Sequence, residues 1–342
     1  MSPIDRRRWI GSALGVGVAT VIGSSDASAV DDPRVVPLIA DPNFRHGFLV
    51  RKTPPTGKTK GKVVAARDTT VRPRWRIDQH HSRGSLFDTR PEPRDDDVIV
   101  HADPYAHVGI RPGGVDDGAG GAGTDTLIFG INGKQEYDNQ YKSGGEPWPH
   151  LFIRQFIAAP RGHLSDTAPR MDELKALNFR IDARLIRDIH ERGRAYTPKR
   201  HAAQCIAYLT VLNVNPDSPG HGDYFWFGVR LYDDRPHRFK GWRTHVDRGT
   251  EKKTGTGKYI VSIGQEGLTP RVGVRRGEWT HLEGDLLPDI RRGFEEAIVS
   301  DCMTQSTDAA DLSVGMFILG WEVSSLNNVA IALGGIGLDA VV

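Results

Sequence analysis

Residues 203–213 read Ala203-Gln204-Cys205-Ile206-Ala207-Tyr208-Leu209-Thr210-Val211-Leu212-Asn213, and residues 223–235 read Asp223-Tyr224-Phe225-Trp226-Phe227-Gly228-Val229-Arg230-Leu231-Tyr232-Asp233-Asp234-Arg235. A turn-forming stretch of Asn, Pro, Asp, Ser and Gly joins them. Side chains of a strand point alternately to its two faces. In the second segment, Tyr224, Trp226, Gly228, Arg230 and Tyr232 therefore share one face, and Phe225, Phe227, Val229 and Leu231 share the other. The all-apolar face is the expected core. The pair reads as a long β-hairpin in a half-buried sheet.

The same alternation recurs outward from this hairpin. Strands are expected at 44–50, 73–77, 98–101, 126–131, 151–157, 177–184, 258–263, 314–323 and 329–338. One segment has a different period. Leu287, Ile290, Phe294 and Ile298 fall at helical spacing, with Asp285 placed to cap and Pro288 in the first turn. A shorter helix is expected within 165–174. Many strands and one main α-helix near the C-terminus predict an all-β fold, a two-sheet β-sandwich of the jelly-roll, concanavalin-like type. Stretches 53–67 and 111–124 read as exposed loops, the second rich in glycine.

Composition narrows the class. The 342 residues carry 45 basic and 43 acidic side chains, a net charge of +2, which points to neither nucleic acid nor an anionic membrane. The amino terminus reads as an export address. Arg6-Arg7-Arg8 precede a short apolar run, and Ala27-Ser28-Ala29 makes a cleavage pattern. Residues 1–29 are thus expected to be a twin-arginine-type signal peptide, and 30–342 a single secreted or periplasmic domain, monomeric, with no membrane span once processed. Cys205 and Cys302 leave two readings open, a disulfide or two buried thiols. No zinc spacing is present, and His80-His81 has no evident third ligand. No cofactor is expected, although Asp-rich turns leave room for a structural calcium.

Three clusters carry chemistry. The outer face of the hairpin, with Tyr224, Trp226, Arg230 and Tyr232 and with Gln204 and His201 on and beside its first strand, offers rings and planar polar groups. Pyranose rings present C–H patches to aromatics, while their hydroxyls seek such polar partners. A glycan-binding face is expected, with Gly228 leaving room for ligand. In 151–157, Arg154 or Gln155 would face the same cleft. In Gly320-Trp321-Glu322, a carboxylate sits within an apolar strand. If desolvated, it would hold its proton more tightly, as a general acid requires.

A helix followed by a strand ending Gly320-Trp321-Glu322, a turn and a final strand resembles the end of the family 12 glycoside hydrolases. The resemblance implies a curved-sheet cleft with Glu322 as acid/base. It also implies a second carboxylate on a neighbouring strand, where Asp223 is the nearest substitute, and subsites lined by Tyr224, Trp226 and Trp321. The segment is also similar to sandwich polysaccharide lyases, for which Tyr224, His201, Arg154 and Gln204 supply the residue types. The expectation is a secreted carbohydrate-active protein acting on a polysaccharide, as a hydrolase or lyase. The alternative is a non-catalytic glycan-binding or surface-interaction sandwich.

Overall fold

The computed structural model describes residues 33–52, 59–93, 98–113, 124–141, 147–157, 168–190, 192–235, 240–248 and 255–342. The expected export signal, the Asp95–Asp97 run and most of the glycine-rich loop lie outside the described residues. Arg34 to Val342 form one compact unit.

Its elements, in chain order, begin with β1 (Val35–Pro37), β2 (Phe48–Lys52), β3 (Lys60–Val64), β4 (Trp75–His80), β5 (Pro91–Pro93) and β6 (Ile99–Ala102). There follow β7 (Ala106–Arg111), β8 (Thr126–Asn132), the single-turn α1 (Gly133–Glu136), β9 (His150–Phe156), β10 (Ala176–Ile189) and β11 (Ala203–Asn213). The chain ends with β12 (Tyr224–Asp233), β13 (Arg243–Val246), β14 (Tyr259–Ile263), β15 (Thr280–Asp285), α2 (Leu287–Val299), β16 (Leu312–Val323) and β17 (Asn328–Val341).

These strands make two sheets. An eight-stranded sheet runs β15-β10-β17-β8-β7-β6-β5, with β1 added to β17. A nine-stranded sheet runs β13-β14-β12-β11-β16-β9-β4-β2-β3. The expected all-β sandwich is the observed fold. Its core lies between the sheets. Phe129, Phe179, Ile331 and Leu338 of the first meet Phe227, Phe317, Trp321 and Ile153 of the second, all essentially inaccessible. Alternation produces this: every second residue of each strand faces inward, where burial of large apolar side chains drives association.

Helix α2 packs against β12 and β14. Leu287, Ile290 and Ala297 are buried, and the Phe294 ring stacks on Phe225 of β12, centroids 6.3 Å apart. Gly293 permits this contact, since a Cβ there would stand 3.0 Å from Val261 and 3.4 Å from Phe225. The Asp285 carboxylate accepts the backbone N–H of Leu287 at 2.9 Å and of Leu177 at 2.8 Å, so it ties the start of the helix to β10, although the N-cap position itself is Leu286 rather than the expected Asp285.

Four expectations are corrected. The described part of 165–174 is turn rather than helix. The basic stretch 53–67 is not all loop, because Lys60–Val64 pairs with β2. Cys205, buried on β11, and Cys302, after α2, are both free thiols, so the disulfide reading falls. Strands β1, β3, β5, β7, β13 and β15 escaped the sequence reading; most are short and lean on neighbours for their pairing. Among the described residues, no helix is long and apolar enough to cross a membrane.

Candidate active site

Backbone register sets one polar row across five strands of the nine-stranded sheet. Asp233, Gln204, Glu322, His150 and His80 stand side by side on β12, β11, β16, β9 and β4. Two residues along, Ile206, Gly320, Phe152 and Asp78 form the next row on the same face. Tyr208, Ile318, Arg154 and Arg76 form a third. This face points away from the core and holds a cavity of about 470 Å³, lined by Glu322, His150, His80, Asp78, Tyr208 and Trp226 among others.

Glu322 sits at one end of this cavity with its side chain 17% exposed. Its carboxylate accepts from the Gln204 amide, and the His150 Nε2 stands 3.8 Å away. The Gln204 oxygen accepts from Arg235 Nη2 at 2.7 Å, which fixes the amide with its NH₂ toward Glu322. Arg235 is itself held by Asp233, with Nε to Oδ1 at 2.7 Å. Burial raises the Glu322 pKa above the ordinary carboxylate value, and the charges of Asp247 and Asp233 add to the rise. The Gln204 hydrogen bond and Arg235 oppose it. The result is a carboxyl group that holds its proton beyond the usual range while it faces a cleft.

Asp247 follows β13 and lines the same cavity. Its Oδ2 accepts the Thr256 N–H at 2.8 Å and the Thr256 hydroxyl at 2.9 Å. Its charge, with that of Asp233, adds to the rise in the Glu322 pKa. Asp78 pairs with Arg154 on the other side. Beside it, His80, His81 and His150 cluster with ring centroids 6.1–6.5 Å apart. Burial lowers the His80 pKa, so its imidazole is neutral further into the acid range than an exposed one. Among the described residues, no three His, Cys, Asp or Glu side chains are grouped to hold a metal ion. The Asp233 and Asp234 carboxylates are taken by Arg235 and by the Ala203 N–H and Asn327 amide.

The aromatic wall is built from β11 and β12. Tyr208 meets Trp226 edge to face at 5.8 Å, and Tyr224 meets Trp226 at 5.4 Å. Gly228 makes room here, but for a side chain rather than a ligand. A Cβ at Gly228 would come within 2.8 Å of the Tyr208 ring. Burial raises the Tyr208 hydroxyl well above its ordinary pKa, and Glu322 adds to this, so the phenol is neutral.

The other expected site residues divide between the cleft and the interior. Arg154 lines the cavity. Gln155, one residue on, points inward and holds Ala40 by both its amide groups, at 2.6 and 2.7 Å. Trp321 is fully buried between the sheets, its indole N–H donating to Phe129 O at 3.2 Å, and lines no subsite. Tyr232 was expected beside Arg230. A β-bulge at Leu231 pairs Arg230 with Ile206 but Tyr232 with Cys205, which turns Tyr232 inward. There its ring meets Trp321 and its hydroxyl donates to Asp188. Arg230 is 3% exposed and clasps Ser262, Lys240 and Gly241; burial, then Arg243, lowers its pKa to about 10. His201 is buried against Tyr141 at 4.7 Å and accepts the Thr197 N–H at 2.8 Å.

Asp223 is at the wrong end of the sheet. It lies opposite Asn213, nine positions along β11 from Gln204, whereas Glu322 lies beside Gln204. At about 3.3 Å per residue that is roughly 30 Å of strand, and Asp223 is absent from the residues that line the Glu322 cavity. Asp223 instead pairs with Lys258 at 2.8 Å.

No family model matches the chain, and no curated protein matches it. Solved structures it resembles include family 12 glycoside hydrolases. They include the endoglucanase cel12A from Rhodothermus marinus, at 11% identity and TM-score 0.34 over 68% of this chain and 90% of that one. The family 12 xyloglucanase from Bacillus licheniformis matches at 7% and 0.38 over 77% and 98%. The xyloglucanase domain of NopAA from Sinorhizobium fredii, in complex with cellobiose, matches at 10% and 0.32 over 75% and 100%. At these values the likeness assigns no residue a role.

Proposed function

We propose that this is an exported carbohydrate-active enzyme that cleaves a polysaccharide by glycoside hydrolysis. The observation that carries it is Glu322, a desolvated carboxyl group opening onto a cleft whose wall is the Tyr208–Trp226 pair. The rings would take the C–H faces of a sugar, while Arg154 and His150 would meet hydroxyls. Glu322 in its protonated form would deliver the proton to the leaving glycosidic oxygen. Asp247 replaces Asp223 as the second carboxylate, serving as nucleophile or as base for water. The test is incubation of residues 30–342 with a panel of soluble polysaccharides, assayed for new reducing ends. Glu322→Gln and Asp247→Asn should each abolish release. Undiminished release by Glu322→Gln would remove the assignment.

One observation favours a second reading. The neutral His80 beside His81, His150 and Arg154 is also a set for proton abstraction next to a uronate carboxyl, the lyase reaction. Products absorbing in the ultraviolet, in place of plain reducing ends, would establish it.

A further inference from the structure

A second cavity lies beside β4 and β9, and the pair of facing side chains between it and the Glu322 cleft is of one charge. Arg76 stands directly opposite Arg154 across the two strands. Both guanidinium groups lie over the same ring, Phe156, at 4.9 Å from its centroid. Like charges facing each other on neighbouring strands are unfavourable unless something neutralises them. Asp78 does so for Arg154. Arg76 makes no ion pair among the described residues, and no carboxylate lines the cavity it enters. That cavity, about 530 Å³, is lined by Arg72, Arg74, Arg76, Leu49, Val71 and Phe156 among others. On β2, Leu49 stands beside Arg76, and Arg51 follows two residues on, on the same face of that strand. Burial, Arg51, Arg154 and Arg72 all work to loosen the proton on Arg76, with only Asp78 opposing them. The chain as a whole is nearly neutral at +2, so this concentration of arginine is local.

We propose that the polysaccharide is polyanionic, and that Arg51, Arg72, Arg74 and Arg76 form subsites for its acidic groups beyond the cleavage point. This rests on the proposed action on a glycan. A planar guanidinium fork matches the two oxygens of a carboxylate or a sulfate ester, and Arg76 lies over the Phe156 ring with its fork uncommitted to any ion pair among the described residues. A neutral glycan would leave these arginines uncompensated; an acidic one supplies the missing counter-charge along its own repeat.

The experiment uses Glu322→Gln protein, so that substrate persists, and follows Trp fluorescence or retardation in affinity gels. Polygalacturonate, a sulfated galactan and a neutral glucan are compared at low and high salt, with and without Arg72→Gln, Arg74→Gln and Arg76→Gln together. The expected result is binding of a polyanion at least about tenfold tighter than of the glucan, weakened by salt and lost in the triple variant. The preferred arm then names the anion. Should the triple variant melt early, Arg72→Gln and Arg74→Gln, both exposed, are read singly and should each reduce polyanion binding. Equal binding of neutral and charged glycans, unmoved by the substitutions, overturns this inference and leaves the glycan-cleaving reading standing. Tighter retention of single-stranded DNA than of any glycan overturns it too. Failure to bind or cleave any glycan removes both.

Discussion

The Gln204 side-chain amide donates to the Glu322 carboxylate across adjacent strands while its oxygen accepts from Arg235. One amide thus joins the candidate acid to a buried ion pair. Because its oxygen is committed to a cation, it can only offer a donor to Glu322. Gln204 therefore favours the ionised form of a group that burial pushes toward the protonated one. The balance sets where Glu322 gives up its proton.

Removal of that donor should be visible in a pH–rate profile. In Gln204→Leu burial and the charges of Asp247 and Asp233 are opposed by Arg235 alone, so the Glu322 pKa rises further. A general acid works only while protonated, so the alkaline limb should move to higher pH. An unmoved or acid-shifted limb would detach Gln204 from the acid.

The same burial links stability to pH. The folded-state pKa of Glu322 lies above its ordinary value of 4.5. The stability contributed by the protonated group is complete below the unfolded value and is lost as pH rises through the folded one. Glu322→Gln, which never ionises, should melt with the native protein in acid and above it at neutral pH. A constant difference in Tm between about pH 4 and pH 8 would show that Glu322 is not desolvated.

Trp226 and Trp321 should separate cleanly. Trp226→Ala removes a cleft ring and should weaken glycan binding by about 2 kcal/mol, roughly 30-fold in Kd, with little change in Tm. Trp321→Ala empties the space between the sheets and should destabilise by about 3–5 kcal/mol. Denaturant melts alongside binding titrations check both. Equal effects of the two on Kd in folded protein would contradict the assigned positions.

Asp223→Asn should leave turnover unchanged. Its ion pair with Lys258 is partly exposed, with side chains 25% and 33% accessible for lysine and aspartate, so the loss should be no more than about 1 kcal/mol in stability. A large fall in kcat with the fold intact would mean that the two carboxylates approach each other in a way this sheet does not allow.

The sandwich was legible because alternation is local. The apolar face Phe225, Phe227, Val229 and Leu231 is core, as its period demands, and the spacing of Leu287, Ile290 and Phe294 is a helix that packs on it. Glu322 and Arg154 were legible for the same reason, being polar side chains on the outward phase of apolar strands. The inward turn of Tyr232 was not, because a single bulged residue reverses the phase and nothing in the local pattern marks it. Trp321 misled because an aromatic beside a carboxylate suits a subsite and a core alike, and strand phase decides between them.

What no local pattern contained was the company each residue keeps. Strand order sets β16 between β11 and β9, and that order alone brings Gln204, Glu322, His150 and His80 into one row from four distant stretches of chain. Likewise, Asp247, after β13, lines the cavity that Glu322 enters, whereas Asp223 is taken by Lys258. Away from the bulge that turns Tyr232 inward, the sequence by itself determined which side chains face in and which face out, because that follows from the two-residue repeat of a strand. Only the tertiary structure decided which outward residues meet, because register and strand order are fixed by pairing between segments that know nothing of one another along the chain.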